Sequence, residues 1–388
     1  MTLAELLISS LITIAITAAV LGLADPAQHV FQAQQEASDV QQRLRVSVDS
    51  IQKDLVMAGA GTYAGPAAGP LNDFIAPVFP YQAFGDNPDP SGGTFFRNDT
   101  ISFLYVPSTA SQSTLASPLP PGALDLQLDA PPNCATPTIN QLCGLGAGDR
   151  LLIFDQRSQW DVFSVDQVGL GGAVLQHRGA PSAADFRAGA IAAHVRLGTY
   201  HLKSDDAAMV YQLMRHDGWT TDLPVVDDVV ALRFQYFGDP EPPRRTVTAL
   251  DDPAGPWTTY GPPPPPIDDI RGNWPAGENC AFLVVDRDHV PRLGTLVGGG
   301  LASVELTPAM LTDGPWCPDG LAPNRFDADL FRVRKIRVTL RVQSALASLR
   351  GPAGVLFLKG GTARTGYRYV PDLEVQFDVT PRNMNLDR

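Results

Sequence analysis

The sequence predicts an α+β protein, with one long N-terminal helix packed on an antiparallel, β-rich globular head with long Pro/Gly-rich loops. Three observations lead there. An apolar run opens the chain, an amphipathic stretch with helical periodicity follows it, and the remainder alternates apolar and polar positions in short segments separated by turn residues. Proline and glycine each number 35 among 388 residues, which favours strands and loops over further long helices.

Residues 1–24, MTLAELLISSLITIAITAAVLGLA, come first. From Leu6 to Ala24 there is no charged residue, and Ser9, Ser10, Thr13 and Thr17 are polar groups that a helix satisfies internally. Nineteen helical residues span ~28 Å, about one hydrocarbon core. Glu5 is the single charge, and a carboxylate just inside such a stretch costs roughly 2.5–3.5 kcal/mol on insertion scales. A cleaved secretory signal is not expected, because the run has no basic segment before it and no small-residue cleavage site after it.

The second segment, residues 25–58, begins at Asp25-Pro26, where proline is expected to kink or briefly interrupt the helix. Phe31, Ala37, Val40, Leu44, Val48, Ile51 and Leu55 then recur at spacings of three and four, and Gln32, Gln35, Glu36, Asp39, Gln42, Arg43 and Asp49 take the other faces. Gly59-Ala60-Gly61 supplies the stop signal.

The head, residues 59–388, yields strands with assignable faces. Ile101, Phe103 and Tyr105 alternate with their neighbours, and Leu151–Phe154 follows the turn signal Gly148-Asp149. Two hairpins are expected, one joining 160–165 to 172–176 and one joining 200–202 to 209–214. Val230, Leu232, Phe234 and Tyr236 share a face, as do Ile336, Val338, Leu340 and Val342, and again Leu373, Val375, Phe377 and Val379. If the last two strands pair, Arg337 and Arg341 oppose carboxylates at Glu374 and Asp378. Insertions are expected near 107–147 and 238–330, including five consecutive prolines at 262–266.

Thr2-Leu3-x-Glu5-Leu6 leading into an apolar helix resembles the processed N-terminus of type IV pilins and type II secretion pseudopilins. The resemblance implies that a prepilin peptidase removes a short basic leader before Met1, leaving a processed N-terminus open to methylation. It implies that Glu5 pairs with the terminal amine of a neighbouring subunit as a filament grows, which would offset the cost of burying the carboxylate. Met1 departs from the family's usual Phe, and Pro26 lies a few residues beyond the family's usual proline. A plain signal anchor with an incidental Glu5 is the alternative.

Farther on, Leu213-Met214-Arg215, Asp227–Tyr236, the basic-alternating strand 332–342 and the closing Pro381-Arg382-Asn383 resemble large PilW-like minor pilins, and larger secretion pseudopilins share that order. The resemblance implies a low-copy priming or tip subunit, held in a bacterial inner membrane before assembly and then in an extracellular filament. Its partners would be other pilin subunits, the prepilin peptidase and the pilus or secretion assembly machinery. A major pilin with an adhesive or protective head, or a secretion pseudopilin, is the alternative.

Net charge of −12 argues against a nucleic-acid surface and suits a soluble extracellular assembly. Four cysteines in an exported chain predict two disulfides, with the sequential pairs Cys134–Cys143 and Cys280–Cys317 preferred among three connectivities. Closing those loops is worth roughly 2.7 and 3.9 kcal/mol in the chain-entropy model. No nucleophile-elbow, zincin or Walker sequence is present, so no enzyme and no cofactor is expected; a membrane-anchored extracellular enzyme would need a catalytic cluster the sequence does not display. Asp313, Asp319, Asp327 and Asp329 are weak calcium candidates without EF-hand spacing, and a solvated acidic loop is the preferred reading. Four of five tryptophans fall between 219 and 316, where they either anchor loops, the favoured reading, or form an adhesive surface.

Overall fold

The protein is described here from a computed structural model covering residues 2–61, 71, 75–84, 96–107, 112–129, 142, 144–155, 159–169, 172–176, 184–205, 210–242, 267–268, 274–297, 302–318, 324–351 and 370–384, with backbone only at 23–27 and 29. The apolar run and the amphipathic segment form one helix, α1 (Leu3–Met57), whose 55 residues span ~82 Å. It is not interrupted at position 26. Beyond Met57 the Ala58 N–H bonds the Leu55 carbonyl, and Gly59 turns the chain at φ 78°. A Cβ at Gly59 would meet Met384 Cγ at 3.2 Å and Pro77 Cγ at 3.3 Å, so close packing and backbone sign both call for glycine there.

Only the second half of α1 meets the head. Val40, Ile51 and Leu55 are fully buried, with Ala33, Ala37, Leu44, Val48 and Val56 packed beside them. Two sequence expectations are corrected. Phe31 is 62% exposed, because the head begins to cover the helix only at Ala33. Glu36, expected outward, is buried at the edge of the seat because polar groups of the head meet it there.

Among the described residues the head has three larger antiparallel sheets and two two-stranded ones, Phe282–Val285 with Asp288–Pro291 and Trp316–Cys317 with Phe326–Asp327. The first runs, in spatial order, Val78–Phe79, Thr100–Tyr105, Arg196–Asp205, Val210–His216 and Asp222–Asp227. The second runs Val304–Leu306, Val229–Gly238, Val333–Val342 and Leu373–Val379. Helix α1 lies against Asp222–Asp227 of the first and against Val333–Val342 and Leu373–Val379 of the second, in one main core. The expected 160–176 hairpin is present, and Arg196–Asp205 pairs with Val210–His216 as the second hairpin requires. Val333–Val342 pairs with Leu373–Val379 in the expected register: Arg337 opposes Asp378 and Arg341 opposes Glu374. Val230 is the exception on its strand. A register shift between Val229 and Ala231 buries Val229 in its place, so the alternation begins at Leu232.

The third sheet runs Gln112–Thr114, Ile191–His194, Arg150–Phe154, Trp160–Gly169, Gly172–Gln176 and Asp125–Gln127. It is covered on both faces. Leu152, Phe154, Trp160 and Val162 enter the main core, whereas Leu151, Ile153, Phe163 and Val165 enter a second core with Leu126, Leu128, Leu142 and Leu145. Alternate residues of one strand point to opposite faces, so a strand that reads as a continuous apolar run serves two cores at once.

Candidate functional site

The feature that sets this molecule apart is the free half of α1. Leu3–Gly22 is a 20-residue stretch of mean hydropathy 2.1, long and apolar enough to cross a membrane, and none of it is buried against the head. Leu3, Leu11 and Ile14 are each exposed by two thirds or more. The polar side chains within it bond to their own helix: Ser9 to the Leu6 carbonyl, Ser10 to Leu7, Thr13 to Ser9 and Thr17 to Thr13. That leaves an apolar surface without an unsatisfied hydroxyl.

Thr2 and Glu5 form a reciprocal cap at the helix start. The Thr2 N–H donates to Glu5 Oε2 at 2.8 Å, and the Glu5 N–H donates to Thr2 Oγ1 at 3.4 Å. Glu5 thus already accepts a hydrogen bond within its own chain, and its negative charge lies at the positive end of the helix dipole. Met1 lies outside the described residues.

The seat of α1 on the head is polar at both ends. Toward the free half, Glu36 Oε1 accepts from the Ala345 N–H at 2.6 Å and from Arg43 at 3.3 Å. Arg43 also reaches Asp228 at 3.5 Å, and Arg350 approaches Asp228 from the other side at 3.7 Å. Burial raises the Asp228 carboxyl above its ordinary range, with Arg43 opposing the shift. Toward the C-terminal end, the Tyr200 hydroxyl donates to Asp54 Oδ2 at 2.9 Å and approaches the Ser50 carbonyl at 3.0 Å. Arg215 Nε reaches the same Asp54 oxygen at 2.8 Å. Burial, and then the Asp54 charge, push the Tyr200 phenol well above its usual value. Residue patterning did not reveal these helix-to-head contacts, since they join positions 146 to 309 residues apart in sequence.

Among the acidic residues, Asp313, Asp327 and Asp329 place one carboxylate oxygen each within 4.8 Å of the others, and Asp319 lies outside the described residues. The reading as a solvated loop is corrected for two of them, since Asp327 and Asp329 are buried. Burial pushes Asp327 up to about 7 and Asp329 up to about 6. Asp327 accepts from the Gly314 N–H at 2.6 Å and the Asp329 N–H at 2.8 Å, and Asp329 pairs with the buried Arg332. Arg332 in turn donates to the Pro240 and Gly294 carbonyls. With Asp329 held by Arg332 and Asp327 by two backbone N–H groups, the arrangement reads as a structural anchor.

Cys280 and Cys317 are bonded, with Cα atoms 5.0 Å apart. Cys134 and Cys143, and the prolines at 262–266, lie outside the described residues. Trp219, Trp274 and Trp316 are half-buried beneath arginines: Arg150 lies 4.7 Å from the Trp219 ring centre, Arg292 4.2 Å from Trp274 and Arg325 5.2 Å from Trp316. Each of these rings packs against an arginine, as loop anchors do, and Trp257 lies outside the described residues. No protein-family model and no curated protein matches the chain.

Proposed function

We propose that the chain is a non-enzymatic structural subunit of a type IV pilus-like extracellular filament. The observation that carries this reading is the apolar half of α1, which projects beyond the head with Glu5 at its start. Such a helix has two stable environments: a bilayer, and a bundle of like helices. In the first the subunit waits in the inner membrane. In the second the apolar surfaces pack against one another with the heads outside, and the Glu5 carboxylate exchanges its contact with Thr2 for the amine of a neighbour. The contact is head-to-tail, which generates an open helical polymer. Processing by a prepilin peptidase would expose the amine that this exchange requires.

The order of sequence segments at 213–215, 227–236, 332–342 and 381–383, which resembles PilW-like minor pilins, supports a minor subunit that primes or tips the filament. A repeating subunit is the second reading, favoured by exposed charges of both signs on α1, Asp39, Arg45 and Lys53, that have no ion pair among the described residues. Mass spectrometry of sheared filaments separates them. Trace amounts beside another dominant pilin are expected for the minor subunit, and dominance by this chain for the repeating one. Replacing Glu5 with Ala should spare membrane insertion and abolish assembly; normal filaments from that variant would sink the register argument.

A further inference from the structure

The two ends of the seat are held differently. At the C-terminal end Ile51 and Leu55 are fully buried, and Asp54 of the helix receives both Tyr200 and Arg215 of the head. Arg215 has no other ion pair among the described residues. Lifting that end would strand a carboxylate, a guanidinium and a phenol together, which is costly for groups already withdrawn from water.

At the end nearest the free half, the charges divide along the seam. Glu36 and Arg43 both belong to α1 and pair at 3.3 Å. Asp228 and Arg350 both belong to the head and pair at 3.7 Å, and Gln343 Nε2 donates to Asp228 at 3.4 Å. Two polar contacts cross the seam there among the described residues: the Ala345 N–H to Glu36 at 2.6 Å, and Arg43 to Asp228 at 3.5 Å. If they part, each carboxylate keeps an arginine on its own side. Ala345 is exposed, so water takes the place of Glu36 at its N–H. Arg350 also donates to the Ser344 carbonyl at 2.8 Å and the Ala345 carbonyl at 3.3 Å, so the loop that receives Glu36 is braced without the helix. Within residues 33–50, Val40 is the one fully buried apolar side chain of α1, beside the half-buried Ala33, Ala37, Leu44 and Val48.

We propose that the seat is a pivot. Residues 33–44 of α1 lift from the head while Ile51 and Leu55 stay docked, and the Glu36–Ala345 and Arg43–Asp228 contacts are its latch. Closed and open arrangements both leave every charge partnered, which is what a hinge between two discrete states needs. Opening changes the direction in which the free half leaves the head. A subunit that passes from a bilayer into a helix bundle uses that freedom; this use rests on the filament reading, whereas the pivot rests on the seat alone.

The test is thiol alkylation of the full chain in detergent, read by peptide mass spectrometry, on Val40→Cys and on Ile51→Cys. Both positions are fully buried, so a thiol there reacts only when the helix moves. Val40→Cys is expected to react roughly tenfold faster than Ile51→Cys, or more. Asp228→Asn removes the charge that Arg43 meets and tolerates the left-handed backbone there, at φ 61°. It should speed Val40→Cys several-fold and leave Ile51→Cys unchanged. Glu36→Ala removes the other contact and should do the same. Equal rates at the two positions overturn the pivot, and so does a rate at position 40 that neither variant changes. Variants that speed both positions alike also overturn it, because the two contacts then hold the whole head and not one end of the seat. An absent pivot leaves the filament reading standing, and absence of the wild-type chain from filaments overturns only the use proposed for the pivot.

Discussion

Asp327 and Asp329 are carboxylates that the head holds out of water, and their raised values near 7 and 6 make stability depend on pH. The folded state binds these protons more tightly than the unfolded chain, whose carboxyls titrate near 4. Their contribution is therefore fully present below about pH 4 and is lost as pH rises through 6 and 7. Melting followed from pH 4 to 8 should show a loss on the order of a few kcal/mol across that window. Asp327→Asn should flatten the slope, since the amide stays neutral throughout; an unchanged slope would show that Asp327 does not carry it. At the other end of the molecule, Thr2→Val removes the hydroxyl that caps the Glu5 N–H, at a cost of about 1 kcal/mol of helix stability. Hydrogen exchange of the first turn in detergent should speed up accordingly. The Thr2–Glu5 cap is written in local spacing, yet in the sequence Glu5 was legible only as the partner of a neighbour's amine. The burial of Asp327 was not legible, because the sequence around it reads as turns and acids, and only the fold brings Gly314 and Arg332 to it.

At the scale of elements, although Thr339 and Arg341 on the polar face of Val333–Val342 are buried, the long helix and the two C-terminal strands could be read directly from their apolar periodicity. The Arg337–Asp378 pair illustrates this. Opposite charges on the wet faces set the register, and Arg337 meets Asp378 through two nitrogens at 2.7 and 3.0 Å. The hydrogen bonds from Arg337, followed by that from Lys335, hold the Asp378 carboxyl down at about 2. The third sheet was not legible as a unit, because its central strand Arg150–Phe154 has no wet face: Leu151 and Leu152 enter different cores. Nor did the sequence mark how α1 is held. Tyr200 reads as one more apolar residue of a strand, yet its hydroxyl reaches across to Ser50 and Asp54. Tyr200→Phe should cost about 1.5–3 kcal/mol, the value of a hydrogen bond to a charged group. Asp54→Ala should cost more, because it also strips Arg215 of its partner. Chemical denaturation of the two variants checks the order; equal losses would mean that Arg215 gains nothing from Asp54.

The whole molecule divides where the helix leaves the head, and that division governs what can be removed. Every residue of α1 that packs into the main core lies at Ala33 or beyond, and the groups that hold the seat, Glu36, Arg43, Ser50 and Asp54, lie beyond it too. Residues 3–22 contribute no burial to the head, so the free half of the helix adds little to the stability of the rest. What it adds is an apolar surface that water disfavours, and hence a tendency to aggregate outside a membrane. A chain beginning at Ala33 should therefore be soluble, keep the Cys280–Cys317 bridge and melt within a few degrees of the full-length protein in detergent. The bridge then becomes testable in the truncated head. Both sulfurs are fully buried, so reductant should act only once the head opens, and Cys280→Ser with Cys317→Ser should lower stability by roughly 3.9 kcal/mol in the chain-entropy model. If the truncated head instead fails to fold, residues before Ala33 support it through contacts the fold does not display, and the separation of a membrane half from a head half is wrong. If it folds but its double-serine variant melts unchanged, the bridge records the oxidising compartment without stabilising the fold.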